Sequence, residues 1–257
     1  MARRMVERKA HDVDQAEGLR RLFGDPPARL APVLVDPAHA TAQVASIVRL
    51  AQANASAGER TLVLDCAHAQ VAAALGLRAR FDLLHALRGE CGLEQTRLDA
   101  GPNLSVVPAA RAAEQARGAE TEFATLLGAL VHGPFSAGLV LMIVEPAHAP
   151  LLRATGRSEI VVPMPRQRAA WGGLLRALGA FGDGTDIAGF RLLFPAWDAD
   201  TAARLYTELV QACSERLCIE LRFGGSVRVA RDWLRIARAM NEWDLPRLPR
   251  PQTVRTF

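Results

Sequence analysis

The residues best placed to do chemistry lie where an apolar run ends and a helical stretch begins. Leu34 to Leu50 reads LVDPAHATAQVASIVRL: a β-rich run, a short loop, then apolar residues at helical spacing. In an α/β chain the first strand-to-helix turn is where backbone N–H groups and a helix N-terminus cradle a phosphate. This turn has neither a glycine nor a lysine. Other predicted strands also end in titratable groups: Asp65 in LVLDCAHA, Glu145 in VLMIVEPAHAP, and the Ala-His-Ala triplets around His39, His68 and His148. Three histidines at one rim of a sheet could hold a metal. No carboxylate or cysteine is spaced to complete the ligand set, however, and alanine-rich loops that happen to contain histidine are the plainer account. Ser105, Ser136 and Ser158 lack the glycines of a nucleophile elbow, and Asp183 and Asp186 read as turn residues in a Gly-rich loop.

The elements that must position these groups follow from periodicity. The 257 residues, half of them apolar, suffice for one sizeable core. From Ala31 onward short apolar runs alternate with helical stretches: APVLV, a helix to about Ala53, RTLVLD, a helix near Asp82 to Arg88, and LSVVPA. A helix near Glu120 to Val131, GLVLMIVEP, EIVVPMP, a helix around Trp171 to Phe181, FRLLFP, a helix over 200–213, CIELRF and a last helix complete the series. Strands apolar throughout are buried on both faces, so the pattern predicts a doubly wound, mostly parallel sheet with helices on both sides. The expected organisation is a basic leader and docking helix with its linker over 1–30, an α/β domain over 31–244, and a disordered Pro/Arg-rich tail over 245–257.

Charge and cysteine usage narrow the function classes. The 31 basic residues, nearly all arginine, exceed the 27 acidic ones by four and are spread along the chain. With one tyrosine and nine phenylalanines for stacking, this is a solvated surface rather than a nucleic-acid groove. Cys66, Cys91, Cys213 and Cys218 show no zinc spacing and no Cys-x-x-Cys pair, which suits buried thiols in a reducing cytoplasm. No run approaches the length of a membrane span. The stretch RDWLRIARAMNEW, residues 231–243, sets Trp233, Ile236, Ala237, Met240 and Trp243 against Arg231, Arg235 and Arg238. Such an amphipathic helix packs on its own sheet or lies peripherally on an anionic membrane, at the inner membrane or cell pole.

Phe81 to Arg111, FDLLHALRGECGLEQTRLDAGPNLSVVPAAR, resembles the segment after the second strand of MinD/ParA-type P-loop ATPases. Phe81, Asp82, Leu87, Gly89, Glu90, Leu93, Leu104, Pro108 and Ala109 stand where that pattern has them. The likeness extends from about Pro32 to Met240. Asp14-Gln15-Ala16-Glu17-Gly18-Leu19-Arg20 further resembles the Asp-Gln-Ala-x-x-Leu-Arg motif of one subgroup, the flagellar-number regulators of the FlhG/FleN type. Residues 12–23 also carry a helical apolar pattern behind Asp12, a plausible N-cap, which by itself suits either a docking segment or a helix packed on its own domain.

The resemblance implies a MinD-like fold and places the 36–44 turn at the Walker A motif. There Ala38 replaces the signature lysine, His39, Ala40 and Ala42 replace glycines, Gln43 replaces the phosphate-binding lysine and Val44 the Mg²⁺-holding threonine. Side chains at 39, 40 and 42 resist the cradle's backbone conformation, and Gln43 brings no charge. Of the Asp-x-Asp pair Asp65 remains, facing Ala67, and Glu145 takes the Walker B position. The expectation is a regulatory pseudo-ATPase of flagellar biogenesis that has lost the family's ATP and Mg²⁺. It would dock through Asp14, Gln15, Ala16, Leu19 and Arg20 on the flagellar SRP-type GTPase and stimulate it, with flagellar switch-complex proteins as further partners. The alternatives are an ATPase retaining ATP through an unorthodox loop, and a polar-localisation scaffold of pilus assembly.

Overall fold

The computed structural model describes residues 27–36, 40–133, 135–156, 159–182, 187, 189–214 and 219–248. Its strands are Arg29–Leu34 (β1), Thr61–Asp65 (β2), Leu98–Gly101 (β3), Leu104–Pro108 (β4), Leu139–Val144 (β5), Glu159–Pro163 (β6), Gly189–Pro195 (β7) and Leu221–Val227 (β8). They form one sheet in the order β3-β4-β2-β5-β1-β6-β7-β8. Every pairing is parallel except β3 with β4, at one edge.

The helices are Ala40–Ser56 (α1), Val71–Ala74 (α2), Leu83–Leu87 (α3), Ala110–Gln115 (α4), Glu120–His132 (α5), Ala149–Ala154 (α6), Trp171–Gly182 (α7), Ala199–Ser214 (α8) and Ala230–Ala239 (α9). Because side chains alternate along a strand, each buried strand feeds two cores. Leu30, Leu34, Leu62, Leu64, Val140 and Met142 pack with α3 to α8 on one face. Ala31, Val33, Val63, Leu139, Leu141 and Ile143 pack with α1, α2 and α9 on the other. Strands used on both faces must be apolar throughout, which is why LVLMIV in β5 is buried at all six positions.

This layering makes β1 and β6 the switch point of the sheet. The chain leaves β1 through α1 on one face and leaves β6 through α7 on the other, so a crevice opens outside their carboxyl ends.

Several elements depart from the periodic reading. The last strand begins at Leu221, inside the run CIELRF, and continues past it through Gly224 and Gly225, where the pairing with β7 shifts register. A Cβ at Gly224 would come within 2.9 Å of Arg191 Cγ and the Leu192 carbonyl. The strand therefore needs that glycine for close approach, although glycine ordinarily signals a strand end. Strand β3 and helices α4 and α6 are too short for periodicity to declare them. Of the residues assigned to the tail, 245–248 pack on the domain: Leu245 and Leu248 are buried. Leu30 N–H donates to Pro246 O at 2.8 Å and Leu248 N–H to Ala28 O at 2.8 Å. Trp233, Ile236 and Ala237 of α9 and Met240 just after it are buried against the sheet. Among the described residues no helix is long and apolar enough to cross a membrane.

Candidate functional site

The crevice at β1 and β6 is where the turn residues meet the sheet. Ala38 and His39 lie outside the described residues, as do Asp14, Gln15, Ala16, Leu19 and Arg20. Ala40 and Ala42 stand in the first turn of α1. Val44, one residue beyond Gln43, packs into the core under α1 and offers no hydroxyl.

Gln43 is only 2% exposed and bridges the crevice. Its Oε1 accepts from the backbone N–H of Asp36, just past β1, at 2.7 Å. Its Nε2 donates to the carbonyl of Pro163, the last residue of β6, at 2.9 Å. A buried primary amide needs both an acceptor and a donor role filled, and this one fills them on two strands that diverge. The side chain is a staple across the switch point.

Asp65, buried at the end of β2, is likewise engaged. Oδ1 accepts from Ala69 N–H at 2.9 Å and, more weakly, from Ala67 N–H at 3.3 Å; Oδ2 accepts from Val71 N–H at 3.1 Å. One carboxylate thus organises the 66–70 loop and starts α2, in which Gln70 holds a left-handed backbone at φ 58°. Beside it, burial pushes the Cys66 thiol well above its ordinary pKa, and the charges of Asp65 and Asp82 add to the effect. That thiol is inert.

Glu145, half-buried after β5, opens a short turn. Its backbone N–H donates to Nδ1 of His148 at 3.2 Å. The neutral imidazole then carries its proton on Nε2, which is buried without a hydrogen-bond partner among the described residues. Burial, with Arg117 adding, lowers the His148 pKa to about 4. His68 is exposed and paired with Glu114 at 3.2 Å. The described residues contain no group of three metal-binding side chains that could hold an ion.

The periodic reading passed over a charged cluster at the opposite, amino edge. Glu159 opens β6 at 1% exposure. It is gripped by Arg191 of β7 at 2.6 and 2.9 Å and by Arg222 of β8 at 2.9 Å. The signal was a lone carboxylate heading an otherwise apolar strand, a group that is buried only when paired.

No protein-family model matches the chain, and no curated protein sequence matches it. Solved structures do. A MinD cell division protein from Aquifex aeolicus superposes with a TM-score of 0.61 at 13% identity, covering 87% of this chain and 100% of that one. A cobyrinic acid a,c-diamide synthase from Mycobacterium smegmatis, solved with an ATP analogue and magnesium, gives 0.58 at 13% identity over 86% of this chain and all of that one. The septum site-determining protein MinD of Pyrococcus horikoshii, complexed with Mg-ADP, gives 0.52 at 12% identity over 84% and 96%. Identity this low carries the fold and nothing finer. The chain has the eight-stranded, mostly parallel architecture of the MinD-like P-loop NTPases.

Proposed function

We propose that this chain is a MinD-like scaffold that does not turn over ATP and acts by engaging a protein partner. The observation that supports this most is Gln43. At the position aligned with the phosphate-binding lysine stands an uncharged amide whose two ends are bonded to Asp36 and Pro163. The Asp36 N–H donates to a side-chain oxygen of the protein itself, and the charge that would offset a triphosphate is missing.

The fit of ATP and Mg²⁺ to the neighbouring residues is poor in the same way. Asp65 already accepts from three backbone N–H groups, which leaves its carboxylate little capacity to orient water or metal, and the Val44 side chain has no oxygen to offer a cation. No hydrolytic step is derived through these residues. Glu145 is the exception: among the described residues its carboxylate has no hydrogen bond or ion pair, and it favours the second reading, an ATPase with an unorthodox loop.

Calorimetric titration of the full chain with MgATP separates the two. The first reading expects no binding tighter than about 100 μM, and the second requires it. The partner side rests on the resemblance of residues 14–20 to the flagellar-regulator motif. On that reading Leu19 supplies an apolar anchor and Arg20 a donor or charge beside the partner's nucleotide, and the partner is an SRP-type GTPase of flagellar placement. The full chain should accelerate that GTPase, and Gln15→Ala with Leu19→Ala should abolish the acceleration. Equal stimulation by both forms would exclude this use of the segment.

A further inference from the structure

Beside the Gln43 staple a second cleft, of about 250 Å³, opens at the carboxyl ends of β6, β7 and β8 between α1 and α9. Its wall is unusual in charge. Arg49 of α1, Arg166 after β6 and Arg228 after β8 all line it, and no aspartate or glutamate does. The three arginines are exposed, and none has an ion pair among the described residues. Asp198 is close enough for Arg228 to help lower its pKa, yet it stands off the wall.

Two further features belong to the same wall. Trp233 is 4% exposed, and its indole N–H is buried without a hydrogen-bond partner among the described residues. Buried indole N–H groups usually find a partner. Ala196, in the loop after β7, holds a left-handed backbone at φ 67°, while its N–H donates to Val227 O at 2.7 Å. Strained non-glycine backbone gathers at ligand sites.

We propose that this cleft binds a small phosphate ester. Its ionic groups are all donors, and guanidinium forks match phosphate oxygens in pairs. Apart from Gln43 and Ser46 the remaining wall, Pro165 and Pro195 among it, is apolar and suits a compact organic body. The volume equals about eight waters, room for a phosphate and one ring. Open α/β sheets receive ligands at this edge. Gln43 of the 36–44 turn shares this wall, but the charge of the cleft comes from arginines outside that turn.

The test is calorimetric titration of the full chain, in phosphate-free buffer, with phenyl phosphate and separately with inorganic phosphate. Phenyl phosphate should saturate with a Kd below about 1 mM, and inorganic phosphate should bind at least about tenfold more weakly. Arg49→Gln and Arg228→Gln should each weaken phenyl phosphate about tenfold or more, because each removes a charge-assisted pair. Arg238→Gln, exposed on α9 but off the wall, should leave it unchanged. The proposal fails if neither probe saturates, if the triple Arg49, Arg166 and Arg228 to Gln variant binds as the wild type does, or if Arg238→Gln weakens binding equally. Inorganic phosphate binding as tightly as the ester would overturn the assignment to an ester.

Discussion

Replacing Gln43 by leucine tests the staple directly. The substitution keeps an apolar side chain of similar bulk under α1 while deleting the bonds to Asp36 N–H and Pro163 O. Each such bond contributes about 1 kcal/mol net, and stranding a buried backbone donor or acceptor costs about 1 to 3 kcal/mol. Asp36 is half-buried, so water can reach its N–H and the lower end applies there. The sum is about 2 to 4 kcal/mol, which in a domain of this size lowers Tm by roughly 5 to 12 °C. Urea melts should show a lower midpoint at unchanged slope, because the surface exposed on unfolding is the same. Hydrogen exchange should speed up at the Asp36 amide more than at the centre of β5, whose protection reports global unfolding. Gln43→Lys makes the complementary case. An ammonium can donate to Pro163 O but cannot accept from Asp36 N–H, and it sits where only 2% of the residue is exposed. It should be at least as destabilising as leucine and should not by itself bring MgATP binding below about 100 μM. Leucine at wild-type stability, within about 0.5 kcal/mol, would refute the view that Gln43 joins β1 to β6.

Other perturbations have clear signs. Glu159→Gln leaves Arg191 and Arg222 without their buried carboxylate; since both arginines retain some solvent, the loss should be about 3 kcal/mol or less, read from chemical denaturation. Asp65→Ala removes the acceptor of three N–H groups and should cost about 2 to 4 kcal/mol, whereas Asp65→Asn keeps one oxygen and should cost less, by thermal melts. His148 is held neutral in the fold, with a pKa near 4 against an ordinary 6.5. Its stabilising effect is complete above pH 6.5 and declines as pH falls from there toward 4, because the unfolded chain takes up the proton first. The contribution is about 1.4 kcal/mol per pH unit in that window. His148→Phe should flatten this slope, and an unchanged slope would mean that the imidazole is not held neutral.

The sequence carried what burial dictates and missed what single hydrogen bonds decide. LVLMIV and EIVVP could belong only to strands covered on both faces, and the helix boundaries at Trp171 and Glu120 fall where the 3.6 period starts. The resemblance sets Gln43 where the MinD/ParA pattern has a lysine, but the two partners of its side chain were not legible in the sequence. Asp36 and Pro163 are 127 residues apart and meet only because the sheet order puts β6 beside β1. The cleft is hidden for the same reason: Arg49, Arg166 and Arg228 belong to three distant segments that share one sheet edge. Trp233 read as an ordinary apolar position of α9, which it is, and periodicity says nothing of its unpaired N–H.

These pieces fix how the carboxyl edge of the sheet is divided. A doubly wound sheet leaves a crevice at its switch point because adjacent strands hand the chain to opposite faces, and a ligand placed there ties the two strands together. Here an amide of the protein makes that tie between the end of β1 and the end of β6. A ligand can shift a conformational equilibrium only by binding its two states differently. On the proposed reading, with the crevice stapled in one arrangement, ATP has little difference to act on, and small-molecule control enters elsewhere on the edge. The arginine cleft between α1 and α9 is the place that offers it: α1 carries Gln43 on one turn and Arg49 less than two turns later. A ligand gripping Arg49 therefore bears on the helix whose start holds the staple. Binding of phenyl phosphate should raise Tm in wild type and raise it less in Gln43→Leu, where α1 is no longer anchored to β6; equal shifts in both would show that the cleft and the staple are independent.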